Sequence, residues 1–175
     1  MITTRDLLRI GLFTAVETIG LALWLKQTVS APVLAALILF GFLAVEHVLN
    51  INTILAKPLF LLNKIKGILG FTFTETIAWI LWLMAHSINP ILAFVVLTIG
   101  LLVEHNQADN TARGRNFFGD QFNFRPLVHT LVEVVGGTAW LMLASTGHVV
   151  ESIIVLFVAL FIHHVQAARL GRMPK

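Results

Sequence analysis

Long apolar runs separated by short polar breaks set the pattern of this chain. Six runs stand out, at about 8–26, 32–50, 67–86, 90–106, 126–145 and 149–168. Each approaches the ~20 residues an α-helix needs to cross ~30 Å of hydrocarbon at about 1.5 Å per residue. No run alternates with the period of two that a barrel strand shows, and a helix satisfies its backbone polar groups internally, as lipid requires. The breaks after the first, third and fifth runs are short (Lys26 to Pro32, His86 to Pro90, Ser145 to Val149), so these helices pair antiparallel. The first run lacks a small-residue cleavage site and returns further on, so it reads as a helix rather than a removable leader. The pattern predicts an all-α integral membrane protein: six transmembrane helices in three hairpins, one domain over 1–175.

The polar positions repeat. Glu17, Glu75 and Glu133 are 58 residues apart, and each is followed seven residues later by a tryptophan, Trp24, Trp82 or Trp140. Their contexts are TAVETIGLALWL, TFTETIAWILWL and HTLVEVVGGTAWL. The even-numbered runs end alike, in AVEHVLN, LVEHNQA and FIHHVQA, with His47 and His105 again 58 apart. The third copy has His163–His164 in place of Glu–His and one extra residue in its hairpin tip. Repeat units therefore run 8–53, 66–111 and 124–170, and three such hairpins are expected to close around a pseudo-threefold axis normal to the membrane. A hairpin keeps its orientation from copy to copy, unlike the inverted halves of many transporters.

Composition agrees with the pattern. Hydrophobic residues make up 57% of the 175 and charged residues 12%, about half the share in soluble domains. Of the twelve Lys and Arg residues, eleven fall on the side that receives both termini and the inter-hairpin connections; only Lys26 lies opposite. The positive-inside rule makes that side cytoplasmic, with a prokaryotic cytoplasmic membrane as the expected location. The net charge of +3 is then a feature of topology and anionic headgroups, and nucleic acid is not an expected partner. The absence of cysteine and tyrosine excludes thiolate ligands, disulfides and tyrosyl chemistry.

The remaining ionisable residues carry the chemistry. A carboxylate at the middle of a membrane helix costs about 2.5–3.5 kcal/mol, so five cost roughly 12–18 kcal/mol, as much as a domain's whole stability. Something must offset that. Glu17 lies some ten residues, about 15 Å, into its helix from the basic end, and Glu46 and His47 lie within a turn or two of that end, so both sets can converge. The candidate metal ligands at this depth are Glu17, Glu46, His47, Glu75, Glu104, His105, His129, Glu133, His163 and His164. Mixed carboxylate and imidazole sets suit iron, manganese or zinc, and helical-bundle di-metal sites use about four carboxylates and two histidines. Two metal ions are expected, with further histidines, Asn50, Asn106, Asp109 and Gln166 around them. The plain structural alternative is a Glu–His hydrogen-bond network that glues helices. The tryptophans read as interfacial anchors, and His86, His148 and Glu151 as solvated tip residues.

Two connections differ in character. Residues 51–66 are apolar with lysines and read as an interfacial segment. Residues 106–125 are polar and aromatic, and read as a loop or lid, with Arg113, Arg115 and Arg125 available to an anionic headgroup or partner. Three functions compete. One is a membrane-embedded, metal-dependent oxidoreductase acting on a lipid or other amphiphile, with a redox partner at the cytoplasmic face. Another is a proton or cation pathway through a ring of Glu17, Glu75 and Glu133, disfavoured because the outer half of every helix is apolar. The last is a heme- or pigment-binding subunit, which does not call for a glutamate beside each histidine.

Overall fold

The computed structural model describes residues 2–55, 62–113, 115–117 and 122–171. Among these every element of regular secondary structure is a helix: α1 (Thr4–Gln27), α2 (Pro32–Leu55), α3 (Leu62–His86), α4 (Pro90–Ala112), α5 (Leu127–Ser145) and α6 (Val149–Gly171). All six are long and apolar enough to cross a membrane.

Local chemistry sets the helix ends. Thr3 and Asp6 form a reciprocal capping box at the start of α1, satisfying two of the amide groups that every helix start leaves unpaired. The side chain of Asn89 accepts from the amides of Ile91 and Leu92, and Pro90 follows at the first helical position, where its missing N–H costs nothing. Between α5 and α6 the chain turns through Gly147 at φ 86°, a left-handed conformation that glycine adopts without strain. At the tips the hydropathy pattern locates these ends to within about a residue.

At the basic ends four of the six helices continue at least four residues past the apolar runs. α4 reaches Ala112 rather than residue 106, so the first third of the expected 106–125 loop is helix. A polar face explains it: Asn106, Gln107, Asn110 and Thr111 are buried against the rest of the protein, and Asp109 holds Arg113 one turn on at 2.6 Å. Likewise residues 51–55 continue α2 and 62–66 open α3, so the ends of the expected interfacial segment are helical; its middle, 56–61, lies outside the described residues.

Each helix packs on the next in sequence, and α6 packs on α1, closing a ring. The outside of the ring is apolar, with Leu8, Leu12, Val33, Leu37, Ile91 and Val150 exposed, as a surface solvated by lipid must be. Since lipid tails are as apolar as leucine, helices hold together in a membrane by close packing. That packing is visible at one level in each pair. A Cβ on Gly20 would lie 2.4 Å from the Phe42 Cβ, one on Gly100 2.4 Å from that of Ala78, and one on Gly136 2.1 Å from that of Ala159. Each crossing leaves no room for a further carbon.

The four tryptophans correct one expectation. They face the inside of the ring: Trp24, Trp79, Trp82 and Trp140 are all at most 2% exposed and sit in one core cluster with Leu21, Leu39, Leu97, Leu101 and Leu160. Trp79 stands edge-on to both Trp24 and Trp82 and fits where Gly137 leaves space, 2.8 Å from where a Cβ would be. Rings this large fill the widening between six helices, where one Leu per helix would leave voids.

Candidate metal centre

Below that aromatic plug, toward the basic ends, the ring encloses a cavity of about 480 Å³ lined by all ten predicted residues. Its mouth carries Asn50, Asp109, Arg113, Asn123 and Arg125. Nine of the ten are buried, and His105 is the most accessible, with 12% of its side chain exposed. Glu17, Glu75 and Glu133, one from each odd-numbered helix, bring oxygens within 4.8 Å of one another at the centre. The even-numbered helices supply Glu46 with His47, Glu104 with His105, and His163 with His164. Neighbours in sequence point ~100° apart on a helix, yet here both members of each pair line the cavity.

The imidazoles are held in the same way three times. His47 Nδ1 meets Thr72 Oγ1 at 2.8 Å, His105 Nδ1 meets Thr130 Oγ1 at 2.7 Å, and His164 Nδ1 meets Thr14 Oγ1 at 2.9 Å, always on the following helix of the ring. These threonines were missed among the candidate residues although their signal is plain: each stands three residues before a glutamate, in TAVE, TFTE and TLVE, 58 residues apart. Phe13 covers the His164 ring edge-on at 4.7 Å and Phe71 covers His47 at 4.6 Å. At the corresponding place in α5 stands His129, 4.8 Å from the His105 ring.

With Nδ1 engaged, each Nε2 faces carboxylates. His47 Nε2 lies 3.3 Å from Glu46, 3.0 Å from Glu75 and 3.6 Å from Glu104. His164 Nε2 lies 3.4 Å from Glu17 and 3.2 Å from Glu46. His105 Nε2 lies 3.3 Å from Glu104 and 3.6 Å from Glu133. A charge-assisted N–H···O bond closes to ~2.7–2.9 Å, and most of these pairs stand well outside it. Even at 3.0 Å, Glu75 Oε2 lacks hydrogen-bond alignment, and Glu17 Oε2, Glu46 Oε1 and Glu133 Oε2 are likewise buried without a hydrogen-bond partner. Two donors each ~2.1 Å from one cation, at 90–109° to each other, stand about 3.0–3.4 Å apart. Most of the observed spacings fall in that range, so the groups can hold metal ions.

The donors divide into pockets. Glu17, Glu46 and His164 form one, His47, Glu75 and Glu104 a second, and His105, His129 and His163 a third, with donor atoms in each within 4.8 Å of one another. Glu46 belongs to the first pocket and also faces the second: its Oε1 lies 3.2 Å from His164 Nε2 and its Oε2 lies 3.3 Å from His47 Nε2.

Other predicted positions lie elsewhere. Asn106 ties down the following segment instead of facing the cavity: its amide donates to the Asn123 carbonyl at 3.0 Å and its oxygen accepts from the Asn123 amide at 2.8 Å. Gln166 is not among the cavity-lining residues. His148 and Glu151 are exposed at a tip, as expected, while His86 is half-buried against Trp82. The chain matches no protein-family model, no curated protein and no solved structure.

Proposed function

We propose that this protein is a membrane-embedded metal-binding protein whose centre is a carboxylate-bridged metal pair serving an oxidoreductase. The observation that carries the reading is the position of Glu46, with one oxygen toward His164 and the other toward His47, between two adjoining pockets that together hold Glu17, Glu46, Glu75, Glu104, His47 and His164. Four carboxylates and two imidazoles are the complement of helical-bundle di-iron and di-manganese sites, and four negative charges balance two divalent ions. The threonines at Nδ1 orient the imidazoles, the second-layer contact that metal-bound histidine generally has. Metals bound here would supply the electron-transfer and Lewis-acid chemistry; the bundle fixes their ligands and keeps the outer side dry.

In this reading the chain is a triplicated hairpin about a pseudo-threefold axis, with both termini and the cavity mouth in the cytoplasm. The triple His–Thr contact and the closed helix ring support it. The mouth combines Ile51, Ala112 and Leu170 with Arg113 and Arg125, which favours an amphiphilic substrate whose anionic head meets the arginines. A cation pathway is disfavoured by the buried tryptophans that fill the bundle beyond the carboxylates.

Metal analysis of the protein purified in mild detergent, together with its visible spectrum, tests the reading. The expected result is at least two iron or manganese atoms per chain without a Soret band. A metal-free protein that also takes up none on incubation with Fe²⁺ or Mn²⁺ overturns it. Thr72→Val keeps the shape but removes the group that orients His47. We expect ~10–100-fold weaker metal binding in an equilibrium titration, the usual cost of losing such a partner.

A further inference from the structure

We infer that the third pocket is a separate, nitrogen-rich metal site: His105, His129 and His163 bind an additional cation of the zinc or copper type beside the oxygen-rich pair. The inference rests on the metal reading above and deepens it.

At two positions of the cavity the third hairpin carries an imidazole where the other two do not, and both imidazoles fall in the same place. Phe13 and Phe71 are 58 residues apart and each covers a histidine edge-on; the next step of 58 lands on His129, against His105. Glu46 and Glu104 precede His47 and His105, whereas His163 precedes His164. A packing residue and a carboxylate have thus been replaced by donors that converge.

Ring centres of the three imidazoles are 4.8, 4.8 and 5.0 Å apart. Imidazoles bonded at ~2.1 Å around one cation at 90–109° have centres about 4.5–5.2 Å apart. Proton placement points the same way. Thr130 donates its hydroxyl to the Pro126 carbonyl at 2.9 Å, so it accepts from His105 Nδ1–H, leaving the lone pair on Nε2. His163 Nδ1 faces two acceptors, the His129 carbonyl at 3.2 Å and Glu133 Oε2 at 3.4 Å, so its lone pair is also on Nε2. His129, only 5% exposed, has an Nδ1 without a hydrogen-bond partner. Three imidazoles favour zinc and copper over manganese, while the oxygen-rich pockets do not discriminate in that way. Glu104, with Oε1 toward His47 and Oε2 toward His105, links this pocket to the pair.

One equivalent of Cu²⁺ added to metal-free protein tests the inference through the nitrogen couplings in its electron paramagnetic resonance spectrum. The wild type should show coupling to three histidine nitrogens. The variant H129F/H163E, which gives the third pocket the residue types of the other two, should bind copper with coupling to one. Copper bound by the wild type with a single nitrogen overturns the third site and leaves the pair standing. Failure of the wild type to bind copper, iron or manganese at all overturns the metal reading itself. The wild-type spectrum alone separates these results, so the test survives a variant that does not fold.

Discussion

Glu46→Gln should reduce the metal content of the oxygen-rich pair from two ions to one or none, with at least ~100-fold weaker binding of any ion that remains. Losing even an orienting partner behind a ligand costs 10–100-fold, and in the proposed pair this substitution alters a group that faces both pockets. Glu46 sets one oxygen 3.3 Å from His47 Nε2 and the other 3.2 Å from His164 Nε2. An amide retains one oxygen, turns a donor toward the other imidazole, and removes one of the four charges that balance two divalent ions. Glu151→Gln is the control, because Glu151 lies exposed at a hairpin tip and should leave metal content unchanged. The measurement is metal per chain by mass spectrometry with an equilibrium titration of the metal-free protein. Two ions retained at wild-type affinity would remove Glu46 as a bridge and return its contacts to a packing network.

The other large effect is mechanical. Gly136→Leu should abolish the folded bundle in detergent, and the smaller Gly136→Ala should destabilise it by ~1–3 kcal/mol, the usual cost of overpacking. Helix propensity alone predicts the opposite sign for Gly136→Ala, a gain of about 1 kcal/mol. Sterics decide the sign, since the new Cβ would sit 2.1 Å from that of Ala159 and α5 and α6 would have to part. The contact at the same level of the α3–α4 pair has its glycine on the second helix, Gly100 against Ala78. The double variant Gly136→Ala with Ala159→Gly copies that arrangement and should recover most of the lost stability. Thermal unfolding followed by helical circular dichroism measures all of these. A Gly136→Ala protein as stable as the wild type would show that the crossing is looser than the distances indicate.

Hydropathy located six helices and their tip ends, because a membrane span must be long and apolar and because proline, asparagine and glycine mark its turns. It did not locate the basic ends, where α4 runs six residues past its apolar run. A helix continues there wherever its polar face finds partners: Asn106 finds its partner in Asn123, Asn110 in Phe117, and Asp109 in Arg113 one turn on. The tryptophans show a related blindness. A tryptophan near a helix end fits an interfacial anchor and an interior plug equally well, and only the neighbouring helices decide which way the indole points. Trp79 turns inward because Gly137, on another helix, leaves the space.

The ten ionisable residues were identifiable along the chain because the cost of burying charge in lipid is a property of each residue and its depth, whatever surrounds it. Their 58-residue spacing was visible for the same reason, since it is arithmetic on one dimension. How they combine was not visible. That Thr14, Thr72 and Thr130 hold the imidazoles, that Glu46 faces two pockets, and that His129 and His163 converge on His105 are relations across helix boundaries. They depend on which helix follows which around a closed ring and on the rotation of each about its axis. Packing fixes those two quantities, and no local pattern encodes them.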